Sequence, residues 1–209
     1  MNPAQFAALL AREKASAIIR TDNQEKAALA MEAAIRGGFK VIEFTLTVPG
    51  AYELIEDFSR REGLVVGAGT VLEEDQARRS VDAGARFLVS AVTDVSVIRV
   101  AGELGVASMP GTQTATEMLQ AHRAGATLCK LFPAPGTGPA YVKAILGPLP
   151  FLKIVPTNGV DHRNAGAWFA AGVHAVGFVA TLFEPAFIAE QRWDELEQRA
   201  RDCLAACGV

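Results

Sequence analysis

Few of the residues that build metal centres, disulfide frameworks or nucleic-acid surfaces are present. The 209 residues include three cysteines, three histidines, two tryptophans and two tyrosines. Cys203 and Cys207 lie one helical turn apart, without a histidine or further cysteine to complete a zinc site. Cys129 sits in an apolar run and reads as a buried structural thiol, while His122, His162 and His174 are scattered and read as solvated or structural. A net charge of −3 with no basic block argues against nucleic acid and against an anionic membrane as partner. No apolar run approaches the roughly 18 residues that would span a bilayer. The opening stretch "MNPAQFAALLAREKAS" has helical periodicity and Glu13 but no signal-peptide cleavage pattern, so a cytoplasmic protein is expected.

What is present is a repeat. Half of the residues are hydrophobic, and apolar runs alternate with charged stretches, as a globular chain requires. Four segments share one grammar: "GGFKVIEF" (37–44), "AGARFLVS" (83–90), "AGATLCKL" (124–131) and "AGVHAVGF" (171–178). Each opens with a small residue and a glycine, as a helix C-terminus does, and runs into a short apolar strand. Related strands in "ASAIIR", "GLVVGAG", "LGVASMPG" and "FLKIVPTNG" bring the number to eight, starting near residues 16, 40, 64, 87, 105, 127, 152 and 174. Amphipathic stretches such as "NQEKAALAMEAAIR" and "TATEMLQAHRA" lie between them. This alternation predicts a (β/α)8 TIM barrel, with an extra N-terminal helix, over a single domain 1–209. A doubly wound open sheet ranks lower, because no Gly-x-Gly-x-x-Gly follows the first strand.

In such a barrel, function collects at the C-terminal ends of the strands. The charged residues there are Arg20 in "AIIRTD", Glu43 in "VIEFTLT" and Lys130 in "CKLF". Lys130 shares a strand face with Leu128 and Phe132, an apolar setting that lowers an amine's pKa by disfavouring its charged form. A neutral amine can attack a ketone and form a Schiff base, with a nearby carboxylate, Glu43, moving the protons. The alternative is a buried Glu43–Lys130 ion pair, a costly arrangement that would leave neither group reactive.

The chain resembles the bacterial 2-keto-3-deoxy-6-phosphogluconate / 4-hydroxy-2-oxoglutarate aldolases. The resemblance rests on "VIEFTLTVPGAYELI", "GAGTVL", "AGARFLVS", "MPGTQTATEML", "KLFPA" and "IVPTNGV", in order across most of the length. It implies a class I aldolase, usually a homotrimer, that needs no cofactor or metal and cleaves a 2-keto-4-hydroxy acid into pyruvate and an aldehyde. Lys130 would be the Schiff-base lysine and Glu43 the general acid/base. Thr70 and Thr157 would contact the pyruvyl carboxylate region or the pocket wall, Phe132 would pack beside the imine, and Arg20 would meet the anionic end of the substrate. Thr47, Asn158, Gly159 and Ala180 complete the substrate-binding set.

Departures from the family pattern cluster at one end. Thr47 stands where many members carry arginine, with Arg20 the expected substitute, and Ala91 stands in place of a proline after Ser90. "PTNG" and "GFVA" replace Pro-Thr-Gly-Gly and Gly-x-Gly-Ser, so Asn158, Val179 and Ala180 occupy the phosphate-binding end. Weak discrimination in favour of a terminal phosphate is expected, and a preference for an unphosphorylated or carboxylate-bearing substrate. Thr181, one residue on, is the candidate to supply the missing hydroxyl, and Arg20 the candidate to supply charge. Two competing readings are a divalent-metal pyruvate aldolase, which would need carboxylates or histidines grouped at the strand ends, and a keto-acid-binding barrel without catalysis.

Overall fold

A computed structural model describes all 209 residues. The strands are β1 (Ala15–Ile19), β2 (Val41–Thr45), β3 (Val65–Gly69), β4 (Phe87–Val89), β5 (Ala107–Met109), β6 (Gly111–Thr112), β7 (Cys129–Leu131), β8 (Ile154–Pro156) and β9 (Val176–Phe178). The helices are α1 (Pro3–Glu13), α2 (Gln24–Arg36), α3 (Ala51–Ser59), α4 (Glu74–Asp82), α5 (Val95–Glu103), α6 (Ala115–Arg123), α7 (Pro139–Leu146), α8 (Ala165–Ala170), α9 (Pro185–Ala189) and α10 (Trp193–Cys207). None is long and apolar enough to cross a membrane.

Five of the helix-to-strand joints use one device. After α2 the Gly38 N–H donates to Ile35 O at 2.9 Å and the Phe39 N–H to Ala34 O at 3.2 Å, the two bonds of a Schellman motif. The same pair recurs at Gly84/Ala85, Gly105/Val106, Gly125/Ala126 and Gly172/Val173. Each of these glycines has a positive φ, from 69° to 114°, where a side chain would be strained. This is the physical content of the repeated small-residue–glycine grammar.

All strand pairing is parallel, as strand–helix alternation requires. A curled six-stranded sheet runs β5-β4-β3-β2-β1-β9 and a three-stranded one runs β6-β7-β8. The expected fifth strand is therefore split between them. Pro110, which has no N–H to donate, separates β5 from β6 while its carbonyl accepts from the Lys130 N–H at 2.9 Å. On the other side a parallel bridge joins Thr157 to Gly177.

Strand residues alternate between two cores, following the period of two. Cys129 and Leu131 of β7, and Ile42 and Phe44 of β2, pack outward under the helices. Val41, Phe87, Val89, Met109, Leu128 and Val155 face inward, and Phe6 and Leu10 of α1 join them. The extra N-terminal helix thus closes the floor of the strand-lined interior. It starts at a capping box between Asn2 and Gln5 with Pro3 in the first turn. Phe6 is fully buried, its ring stacked on Phe87 at 4.5 Å. Phe6→Ala should therefore cost about 3–5 kcal/mol, as a buried aromatic truncation does. Urea unfolding would register this as a lower midpoint at unchanged slope, and a loss under about 1 kcal/mol would mean that α1 is only an appendage.

Candidate active site

One layer above this floor the inward positions become polar. Glu43 shares the face of Val41, and Lys130 shares the face of Leu128. Glu43 is completely buried and Lys130 is 4% exposed. Both buried carboxyl oxygens of Glu43 lack a hydrogen-bond partner, so the expected alternative of a bonded Glu43–Lys130 ion pair is not what forms. The Lys130 amine lies 4.7 Å from the centroid of the Phe132 ring. Its backbone is clamped by Pro110 O on the N–H side, and its carbonyl accepts from Thr112 Oγ1 at 2.9 Å.

Room for the carboxyl comes from Gly69. A Cβ at that position would collide with Glu43 Oε1, which gives the middle of "GAGT" a steric reason. Above it, Thr70 holds a left-handed conformation, φ 59°, an uncommon state for a β-branched residue and the kind of strain kept where geometry matters. Its Oγ1 accepts from Arg20 Nη2 at 3.3 Å.

Burial pushes the Glu43 carboxyl up, against the opposing pull of Lys130 and Arg20. Burial likewise pushes the Lys130 amine down; Glu43 counters this and Arg20 adds to it. The pair therefore tends toward a neutral acid beside a neutral amine. Neutral forms suit the first step of amine addition to a ketone, which needs a free lone pair and a proton donor.

A cavity of about 250 Å³ opens onto Lys130, lined by Ile18, Arg20, Lys130, Phe132, Thr157, Asn158, Val179, Ala180, Phe183 and Pro185. Six expected site residues, Arg20, Lys130, Phe132, Thr157, Asn158 and Ala180, meet in this wall. Glu43 lies buried outside the lining, and Thr70 stands behind Arg20. Thr47 is not in the wall: its hydroxyl pairs with that of Thr45 at 2.9 Å, and Thr45 Oγ1 in turn donates to Ile19 O. Gly159 is also outside it, set against Ala134. The expected rescue by Thr181 is corrected, since its hydroxyl donates to Val160 O at 2.7 Å and is already committed.

Sequence reasoning missed Ile18, Phe183 and Pro185. Ile18 was recoverable from alternation, because it shares Arg20's face of "ASAIIR". Phe183 and Pro185 lie beyond the last strand and carried no chemical signal. No three His, Cys, Asp or Glu side chains gather anywhere in the chain to hold a metal. Burial pushes the thiols of Cys129 and Cys203 up to about 12 and that of Cys207 to about 11, as inert structural cysteines.

The family model for KDPG and KHG aldolase matches residues 7–199. A probable 2-dehydro-3-deoxy-6-phosphogalactonate aldolase of Rhizobium meliloti is 37% identical over 193 residues, 91% of this chain and 89% of that protein. The 2-dehydro-3-deoxy-phosphogluconate aldolase of Pseudomonas aeruginosa is 33% identical over 200 residues, 93% of this chain and 90% of that one. The crystal structure of KDPG aldolase from Legionella pneumophila, with pyruvate captured at low pH as a covalent carbinolamine intermediate, superposes with a TM-score of 0.84. It is 26% identical and covers 96% of this chain and 97% of its own.

Burial of both groups predicts opposite stability profiles for their removal. The Glu43 carboxyl, raised from 4.5, is best tolerated below that value, and its contribution falls as pH rises through the folded-state pKa. Glu43→Gln should therefore gain melting temperature over the unmodified protein progressively above about pH 4.5. The Lys130 amine, lowered from 10.5, is best tolerated above 10.5, and its contribution falls as pH drops through the folded-state pKa. Lys130→Met should gain most at acidic and neutral pH and lose that margin towards 10.5. Thermal unfolding from pH 4 to 10 checks both; two variants destabilised most near neutrality would indicate a charged pair.

Proposed function

We infer that this chain, which belongs to the KDPG and KHG aldolase family, reversibly cleaves a 2-keto-4-hydroxy acid into pyruvate and an aldehyde through a Schiff base on Lys130. The observation that carries the reading is a buried, unpaired amine at the base of a cavity, with a buried, unbonded carboxyl beside it. A working amine nucleophile needs its pKa lowered by roughly 3 units, about 4 kcal/mol of differential solvation. Apolar burial beside Phe132 is the available source.

The steps follow from these two groups. The neutral Lys130 amine adds to C2 of the keto acid, and the carbinolamine oxygen takes a proton from Glu43. Loss of water leaves a protonated imine. The Glu43 carboxylate then accepts the C4 hydroxyl proton as the C3–C4 bond breaks. That bond's electrons move into the imine to give an enamine, and the aldehyde departs. Protonation at C3 and hydrolysis release pyruvate and restore the amine. Arg20, seated on Thr70 at the rim, supplies the positive charge for the keto acid's carboxylate. Phe132 covers the imine from water, and Thr157 lines the neighbouring wall after β8.

The same reading takes the two parallel sheets as one eight-stranded barrel, interrupted at Pro110 and joined through the Thr157–Gly177 bridge. It takes the assembly to be a homotrimer in the cytoplasm. Exposed Leu72 and Val92, on the loops after β3 and β4, and Val95, at the start of α5, offer apolar surface for such contacts.

Pyruvate with borohydride should add one pyruvyl mass to the peptide containing "CKLF" and none in Lys130→Ala. Label on Lys143 or Lys153 would contradict the assignment. Glu43→Gln should lower turnover about 10²–10⁴-fold, the usual worth of general acid–base catalysis, while still labelling slowly. Near-normal turnover would make Glu43 structural.

A further inference from the structure

We propose that the far end of the cavity binds an uncharged, hydroxylated chain end, so that the substrate is an unphosphorylated 2-keto-4-hydroxy acid. This rests on the imine reading above and narrows it. Both curated relatives described above are named for phosphorylated substrates, and a phosphate end needs converging donors and positive charge. Beyond Lys130 and Phe132, the wall includes Val179, Ala180, Phe183 and Pro185, with Thr157 and Asn158 as polar members on the β8 side.

The surroundings supply little charge for a dianion. Thr181 donates its hydroxyl to Val160 O. Arg199, the cation behind the β9 loop, donates to Thr181 O at 2.8 Å and pairs with Glu184 at 3.6 Å. Glu184 falls in sequence between two wall residues, Phe183 and Pro185, but its carboxylate is taken up by Arg199 outside the lining. Arg20 is turned toward Thr70, on the β3 side of the mouth. The helices that follow β8 and β9 have six and five residues, so few peptide dipoles add up there.

What remains is a set of uncharged groups. The backbone amides of Gly159, Val160, Ala180 and Thr181 donate to no acceptor within the chain and can serve an oxygen of either kind, so the choice falls to charge and to Asn158. Asn158, held at φ 56°, a conformation asparagine tolerates better than most residues, adds a side-chain amide that both donates and accepts. A hydroxyl uses both functions, whereas a phosphate dianion can only accept. Asn158 and Ala180 are therefore assigned as the specificity-determining residues.

The test is condensation of pyruvate with D-glyceraldehyde against D-glyceraldehyde 3-phosphate, comparing kcat/KM, alongside borohydride labelling by pyruvate alone. The expected preference for the phosphorylated aldehyde is below about 10-fold, and Ala180→Ser should raise it by about 10- to 150-fold, the worth of one hydrogen bond to a charged group. Labelling at Lys130 together with a phosphate preference of 10-fold or more overturns this inference and leaves the imine reading standing. Labelling with neither aldehyde accepted also overturns it. An Ala180→Ser enzyme with an unchanged ratio overturns the assignment of Ala180. Absence of labelling overturns the imine reading, and this inference with it.

Discussion

The upper half of the strand-lined interior is organised around an amine and a carboxyl that are both removed from water and are not bonded to each other. Charged groups brought into a low-dielectric interior are costly unless they pair or become neutral. Lys130 and Glu43 sit within each other's electrostatic influence, yet neither Glu43 oxygen has a hydrogen-bond partner. Neutralisation relieves the cost, and it is also what makes an amine nucleophilic and a carboxyl a proton donor. In the proposed reading, the cost of burial and the reactivity of the pair have the same source.

Holding such a pair requires a rigid frame below and small residues beside it. The floor is apolar throughout, with Phe6 and Leu10 of α1 filling the space under the inward residues of the strands. Gly69 removes a side chain where the Glu43 carboxyl lies. Thr70 then bends the chain into a left-handed turn that seats Arg20 at the rim. The setting of this pair is thus built by Glu43 of β2, Gly69 of β3 and Lys130 of β7. The far end, after β8 and β9, is lined by Thr157, Asn158, Val179, Ala180, Phe183 and Pro185, none of them charged.

Much of this was legible from residue order because the joints are local. A Schellman turn is written in five or six consecutive residues, and all four segments with the shared grammar end their helices this way. Strand starts consequently fell within a few residues of expectation, and Lys130 stood out as a lone ammonium in an apolar run. Properties that depend on non-local geometry were harder to read. The split at Pro110 is a matter of which strand pairs with which. The engagement of Thr181 by Val160 joins two loops about twenty residues apart. The pairing of Thr47 with Thr45 withdraws from the pocket a residue that its place in the motif had put there. Helices α7, α8 and α9 are short and carry little amphipathic signal of their own.

The decisive quantity is the protonation state of Lys130 in the resting enzyme. It can be read by following its side-chain Nζ resonance against pH in lysine-labelled protein, assigned by its disappearance in Lys130→Met. A titration midpoint well below the ordinary 10.5 is the predicted result, since burial disfavours the ammonium. A midpoint at or above 10.5 would mean that Glu43 holds Lys130 as a charged partner, and would contradict an amine kept neutral by its surroundings.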